Sequence, residues 1–310
     1  MANIASPSDA LFTAQPGAAS QPGVAAPVQA FRLTFWGVRG NIPAPGADTV
    51  RYGGNTACVE VQVGGHRLIF DGGTGLWVLG RHLMAQEQPV AAHLFFTHTQ
   101  WDRIQGFPFF APAFAPATQL DIYGAQALNG ASIKQRLTEQ MLRPNFSKPL
   151  QTMAAAMTFH NIAAGDAIAL GDVLVEPWGL NRHTSALGYR VSWGDRVLVY
   201  ATDTDPNQPS VDPNLLMLAS GADVLIFDGT YADAAYSDPN GAGLAPWHLG
   251  IEVAQASQVK RLVLFHHNPC HSDDQLDQLE RQVQASFAQA SLAREGMTLE
   301  LVSESAGSPA

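Results

Sequence analysis

The stretch LFFTHTQWDRIQGF, residues 94–107, runs from an apolar strand into a turn that carries His98 and Asp102. A histidine and a carboxylate on a turn directly after a buried strand form the layout of a hydrolytic metal site. Yet Gln100 stands between them and Arg103 follows the aspartate. A guanidinium is always protonated and has only donors, so it cannot ligate a cation. At ~4 Å it would repel a metal ion by a few kcal/mol at an effective dielectric near 20. Other ligand-type residues follow apolar runs: Asp203 after RVLVYAT, Asp228 after DVLIF, and His266 and His267 after RLVLF, with His248 in the loop APWHLG. One such residue is ordinarily a turn or cap residue. Four endings of the same kind in one chain point to a shared site, and Asp/His sets suit zinc, manganese or iron. Neighbours on a strand point to opposite faces, so one ring of the His266–His267 doublet faces the site, and His266 is the expected one.

Short β-rich runs must hold these residues. They fall at 59–63, 67–71, 93–96, 120–123, 172–178, 188–193, 196–200, 223–227, 261–265 and 298–302. The runs 59–63 and 67–71 pair across GGH as a hairpin, as do 188–193 and 196–200 across GD. Helical patterns occupy 131–142, 249–258 and 273–291, the last with Ser272 as N-cap. Strands in two groups, each accompanied by helices, predict two sheets packed face to face with helices outside. No internal repeat period stands out. Trp101, Phe107, Phe109 and Phe110 read as core and cleft wall.

Residues 1–29 are rich in Ala, Pro, Gly, Ser and Gln and predict a disordered tail. The domain is expected over 30–304, with 305–310 a flexible C-terminus. With 27 acidic against 17 basic residues, the net charge of −10 disfavours long nucleic acid as a partner. It leaves room for a locally basic cleft that takes a small anionic molecule. Two cysteines, Cys58 and Cys270, lie outside any CxxC pair and predict buried or partly buried free thiols in a cytoplasmic protein. The first basic residue is Arg32, so no basic region opens a secretory signal, and no apolar run is long enough to span a bilayer. Oligomeric state is open, a homodimer included.

Taken in order, seven stretches resemble the metallo-β-lactamase superfamily, within it the phosphodiesterase-like hydrolases related to ribonuclease Z. They are FWGVRGNIPAPGADTVRYGGNTACVEV, IFDGGTGL, THTQWDRIQGFPFFAP, LNRHTSALGYRV, VYATDTDP, LIFDGTYADAAY and RLVLFHHNPCHSDD, covering about 31–290. The resemblance implies an αββα sandwich of two mixed β-sheets with helices on the outer faces and the site along one edge. It implies an HxHxDH turn, a later histidine, a bridging aspartate and a final histidine that hold two metals and activate water. Position by position the chain keeps His98, Asp102, the bridging-type Asp203 and His266, and His248 matches a loop histidine that acts as proton donor. Gln100 and Arg103 replace two histidines of the turn, and the later ligand position falls on Arg182 with His183 beside it. Leu249-Gly250 replaces a Ser-Thr pair after the loop histidine.

Two arginines where ligands are expected predict a dismantled metal site. Arg103 and Arg182 then balance Asp102 and Asp203 as metal-replacing or anion-binding groups. The expected protein is a metal-free binding or regulatory module for a small anion. The alternative is a hydrolase of phosphodiester or related ester bonds with one divalent metal, zinc or manganese. That metal would be held by some of His98, Asp102, His183, Asp203 and His266, with His248 as general acid. In a third possibility, metal-free catalysis uses Asp102 or His248 as base. Arg103 as a solvated turn residue, and Arg182 turned out with His183 turned in, remain open at this point.

Overall fold

The computed structural model describes residues 31–181, 185–204, 211–228 and 247–302. The expected tails at 1–29 and 305–310, and both Arg182 and His183, lie outside these residues. In the first sheet β1 (Arg32–Gly37), β2 (Cys58–Val63), β3 (His66–Phe70), β4 (Ala91–Phe95), β5 (Gln119–Ala125) and β6 (Ala156–Ile162) lie in chain order. The second sheet holds β7 (Ile168–Leu170), β8 (Val173–Asn181), β9 (Ala186–Trp193) and β10 (Arg196–Ala201), then β11 (Val224–Asp228), β12 (Arg261–Phe265) and β13 (Ala290–Leu292). A last strand, β14 (Thr298–Glu300), returns beside β1, so each sheet has seven strands.

Alternation of side chains decides which layer each strand residue enters. Leu68 and Phe70 of β3 point between the sheets and pack with Tyr189, Tyr200 and Phe265 of the facing one. Ile69 points outward, under Leu76, Leu79 and Leu83 of α1 (Thr74–Met84). After the short α2 (Trp101–Ile104), α3 (Ile133–Gln140) covers the same face through Ile133 and Leu137. On the opposite outer face α4 (Pro213–Ala219), α5 (Trp247–Ala256) and α6 (Asp273–Ser286) cover Leu225, Phe227, Leu262 and Leu264. The arrangement is the αββα sandwich with both sheets mixed. None of the described helices is long and apolar enough to cross a membrane.

The two sheets share one pattern of pairing. From β1 to β3 the steps are antiparallel, and from β3 to β6 parallel. From β8 to β10 they are again antiparallel, and from β10 to β13 parallel. The fold thus repeats a six-strand unit although no sequence period announces it. Carboxyl ends of parallel strands gather function in open sheets. Here Asp71 follows β3 and Asp203 follows β10, at matching places in the two units, and both have left-handed φ, 60° and 63°.

Most expected elements form, including both hairpins. The helix expected over 273–291 stops at Ser286, because Phe287 is extended and β13 must pair with β12. The sequence reading passed over α1, whose TGLWVLGRHLM contains Gly75 and Gly80 and so resembles a turn. Among the aromatics of the turn, Phe107 and Phe110 are buried whereas Trp101 and Phe109 are exposed, so the latter two are not core. Both cysteines are free, Cys58 buried and Cys270 exposed rather than partly buried.

Glycines lock the His98–Arg103 turn in place. Gly72 N donates to Arg103 O at 2.6 Å, and Gly106 N donates to Gly72 O at 2.8 Å. A Cβ on Gly106 would overlap the Gly73 carbonyl oxygen. Gly106→Ala is therefore expected to cost about 3 kcal/mol by forcing two backbone segments apart, read as a lowered urea midpoint. An unchanged midpoint would show that the turns are not interlocked.

His267 ties the end of β12 to the rest of the domain. Its Nε2–H donates to Ala293 O at 2.7 Å and its ring lies edge-on to Tyr52. Burial, offset in part by that hydrogen bond, lowers its pKa to about 3. The native state holds this base neutral, so the unfolded chain binds the extra proton first. Its contribution is complete above about pH 6.5 and is lost as pH falls toward about 3. Unfolding free energies across that window should decline more steeply for the wild type than for His267→Gln, and parallel slopes would contradict this.

Candidate functional site

The centre is built around Asp71, directly after β3. Its carboxylate accepts hydrogen bonds from Thr97 N at 2.8 Å, Thr97 Oγ1 at 2.9 Å, Tyr200 OH at 2.9 Å and Arg103 Nη1 at 2.8 Å. Arg103 Nη1 also donates to Thr202 Oγ1 at 3.1 Å and Tyr200 OH at 3.3 Å. Arg103 therefore reaches from the turn after β4 across to β10 of the other sheet. Its side chain is 0% exposed, which disposes of a solvated turn residue.

Asp102, one residue earlier, faces a second group. Its Oδ2 lies 2.8 Å from His266 Nε2, 3.3 Å from Arg103 Nε and 3.3 Å from Asn41 N. Asn41 N donates to it, His266 Nε2 does so when it carries the imidazole proton, and Arg103 Nε pairs with it by charge without a hydrogen bond. His266 Nδ1 is 3.6 Å from Asp228 Oδ1, and Asp228 Oδ2 accepts Asp203 N in a short hydrogen bond. Asp203 Oδ2 is 3.9 Å from His98 Nδ1, which also contacts Thr97 Oγ1 at 3.0 Å. His98 Nε2 is buried and has no hydrogen-bond partner among the described residues.

The environments push the ionisable groups apart. Burial works against ionised Asp102, but the hydrogen bond from His266 and the charge of Arg103 outweigh it and hold this carboxyl well below its usual range. Burial dominates at Asp228 and raises its pKa. Burial alone would lower the Arg103 pKa; Asp71, Tyr200, Asp102 and Asp228 together raise it well above its ordinary value. Burial and Asp71 also push the Tyr200 phenol well up. One carboxyl is thus held ionised and another biased toward neutral on either side of His266.

Among the described residues no three His, Cys, Asp or Glu side chains converge as a metal cluster. Asp102 Oδ2 is already surrounded by the donors named above, and a permanent cation lies against it. The structure brings His98, Asp102, Arg103, Asp203 and His266 together. His267 instead turns to Ala293, and His266 does so through a left-handed φ of 64° after β12 has ended, not through strand alternation. His248, the second residue of α5, is exposed and hydrogen-bonds to no described residue, so nothing here joins it to the Asp102–His266 pair.

Of the expected ion-pair scheme the described residues show Arg103 beside Asp102, with Asp71 as an added and closer partner, while Arg182 lies outside them. Arg103 makes its shortest ion pair with Asp71, not with Asp102 or Asp203, and the charges of Asp71, Asp102 and Asp228 all act on this one guanidinium. Arg103 is fully buried, its hydrogen bonds all made by Nη1 while Nε and Nη2 have none among the described residues, so it is not presented to solvent. Asp71 and Tyr200 were missed because each reads as an ordinary strand-end or core residue. The sign available in the sequence was a carboxylate in IFDGG, ending a strand as Asp203 does.

None of the curated proteins compared matches this sequence. Solved structures do match its fold. A metallo-beta-lactamase fold protein YhfI from Bacillus subtilis is 18% identical, with a TM-score of 0.63, covering 88% of this chain and 100% of that one. A diphosphatase from the PhnP family is 16% identical at a TM-score of 0.61, covering 87% and 98%. The short form of human tRNase Z is 18% identical at 0.59, covering 86% and 98%. At such identities the likeness concerns the fold alone. The family described as the beta-lactamase superfamily domain matches residues 66–267, well over half of the sequence. With that match added to the two mixed sheets and the strand-end aspartates and histidines, the chain belongs to the metallo-β-lactamase superfamily.

Proposed function

We infer that this is a hydrolase-like protein whose metal centre has been replaced by a buried guanidinium and which serves as a metal-free binding or regulatory module for a small anionic molecule. The observation that carries the reading is Arg103, fully buried, 2.8 Å from Asp71 and 3.3 Å from Asp102. A bound cation holds neighbouring carboxylates ionised and in place, and Arg103 supplies that charge from the chain itself. It supplies no exchangeable coordination position, so the water activation that a divalent ion provides is not among its functions. Because Arg103 is closed off and surrounded by carboxylates, the anion is received beside the centre rather than at it. Arg182 lies outside the described residues and takes no part in this argument.

A second reading is favoured by one atom. The buried Nε2 of His98 has no hydrogen-bond partner among the described residues, and Asp203 lies 3.9 Å from the Nδ1 of the same ring. A hydrolase of phosphodiester or related ester bonds would use these two residues to hold one zinc or manganese ion. Chelator-sensitive turnover of bis-(4-nitrophenyl) phosphate, restored by metal, would favour it.

Two outcomes are expected. Protein purified after zinc and manganese supplementation should contain well under one equivalent of tightly bound metal by elemental analysis; two equivalents would end the leading reading. Arg103→Met should cost about 3 kcal/mol or more, because removing one partner of a buried ion pair leaves the other uncompensated. An Arg103→Met protein as stable as the wild type in urea would mean that Asp71 does not need the guanidinium.

A further inference from the structure

Two cavities adjoin the centre at the carboxyl ends of β4 and β5, and they differ in chemistry. The smaller, ≈ 400 Å³, is bordered by His98, Gln100, Gln126, Asn129 and Arg136. Among the described residues its lining contains no carboxylate and one guanidinium, in a chain of net charge −10. The larger, ≈ 990 Å³, has an apolar wall of Ile162, Trp178, Leu180 and Leu187. Its two acids are already occupied as local caps, Asp166 by Ala163 N at 2.8 Å and Asp212 by Asn214 N at 2.9 Å. Ala125, Gln126 and Ser185 line both cavities, so the two meet.

Arg136 is suited to hold an anion at the smaller end. It projects from α3, its Nε is buried without a hydrogen-bond partner among the described residues, and its Nη1 reaches Glu139 Oε2 at 3.3 Å. That pair is partly solvent-exposed and so contributes little. Glu139 Oε1 also accepts from Gln135 Nε2 at 2.9 Å, which divides its attention. A planar guanidinium with an unfilled donor edge matches the oxygens of a phosphate or carboxylate. The buried, unpartnered Nε2 of His98 supplies a second polar atom at the same end.

We propose that this composite cleft binds an amphiphilic anion, its charged head between Arg136 and His98 and its apolar body along Trp178, Leu180 and Leu187. The inference rests on the anion-binding reading above and adds to it the place and the chemical class of the ligand. Charge complementarity fixes the head, and an apolar wall continuous with the basic end fixes the rest. Inorganic phosphate would fill only one end.

Calorimetry with octyl phosphate, inorganic phosphate and 1-octanol on the full chain tests this. Octyl phosphate should bind at least about ten-fold more tightly than either other probe, since chain burial and head contacts each supply a tenfold factor or more. Arg136→Gln should weaken octyl phosphate about ten-fold while leaving 1-octanol unchanged. Ala164→Trp, an exposed lining position, should fill the larger cavity and weaken octyl phosphate but not inorganic phosphate. Glu139→Gln, which frees Arg136, should strengthen octyl phosphate, and it reads the same end should Arg136→Gln fail to fold. Octyl phosphate no tighter than inorganic phosphate, or Arg136→Gln at full affinity with an unchanged melting temperature, would overturn the proposal. Two equivalents of metal with octyl phosphate selectivity intact would instead sink the reading of the centre and leave the cleft standing.

Discussion

A carboxylate sealed between two sheets must be neutralised or protonated, and in this protein Asp71 is neutralised by Arg103. The cost of taking both charges out of water is met only when nearly every lone pair and proton finds a partner. Asp71 meets that condition with donors from Thr97, Tyr200 and Arg103. The donors come from different parts of the chain: Thr97 follows β4, Tyr200 lies on β10, and Arg103 sits on the intervening turn. The pair therefore acts as a cross-link between the two six-strand units at their carboxyl edge. Its geometry also dictates where the next residue points, because Asp102 must lie against the far side of the same guanidinium and accept from His266.

Much of the fold could be read from the sequence, because strands announce themselves locally. Runs such as RLIFD and RVLVY are short, apolar and rich in β-branched and aromatic residues, and turns such as GD are short enough to force hairpins. What was illegible depended on distant partners. The helix α1 carries glycines that lower its propensity, and those glycines are tolerated because other backbone approaches them closely: a Cβ on Gly75 would lie 2.7 Å from Gly37 N. Similarly β6, with its half-exposed AMTFHNI, gains its strand character from pairing with β5 rather than from its own pattern.

The centre was legible by residue type and less so by pairing. A histidine, an aspartate and an arginine in HTQWDR identify themselves as chemistry-bearing at once. Which carboxylate the arginine chooses depends on the position of another strand end, and no spacing rule relates residue 71 to residue 103. His248 stands apart: the helix α5 begins just before it, its side chain is exposed, and it hydrogen-bonds to no described residue, so no described contact ties it to the centre.

On the proposed reading a guanidinium stands where relatives hold a metal ion, and what that would change in the neighbourhood follows from electrostatics. A divalent ion offers both positive charge and an open position for a ligand oxygen, so binding and chemistry coincide at one point. A guanidinium delivers its charge from a fixed place in the chain, and this one is sealed from solvent with Nη1 directed at Asp71, Tyr200 and Thr202, while its buried Nε and Nη2 have no hydrogen-bond partner among the described residues. Asp102 and Asp203 then remain as negative charges at the edge of the centre and repel an anion placed between them. On the proposed reading, recognition then falls to a neighbouring surface with its own cation. The cleft edge bearing Arg136 has that cation, and its described lining has no carboxylate.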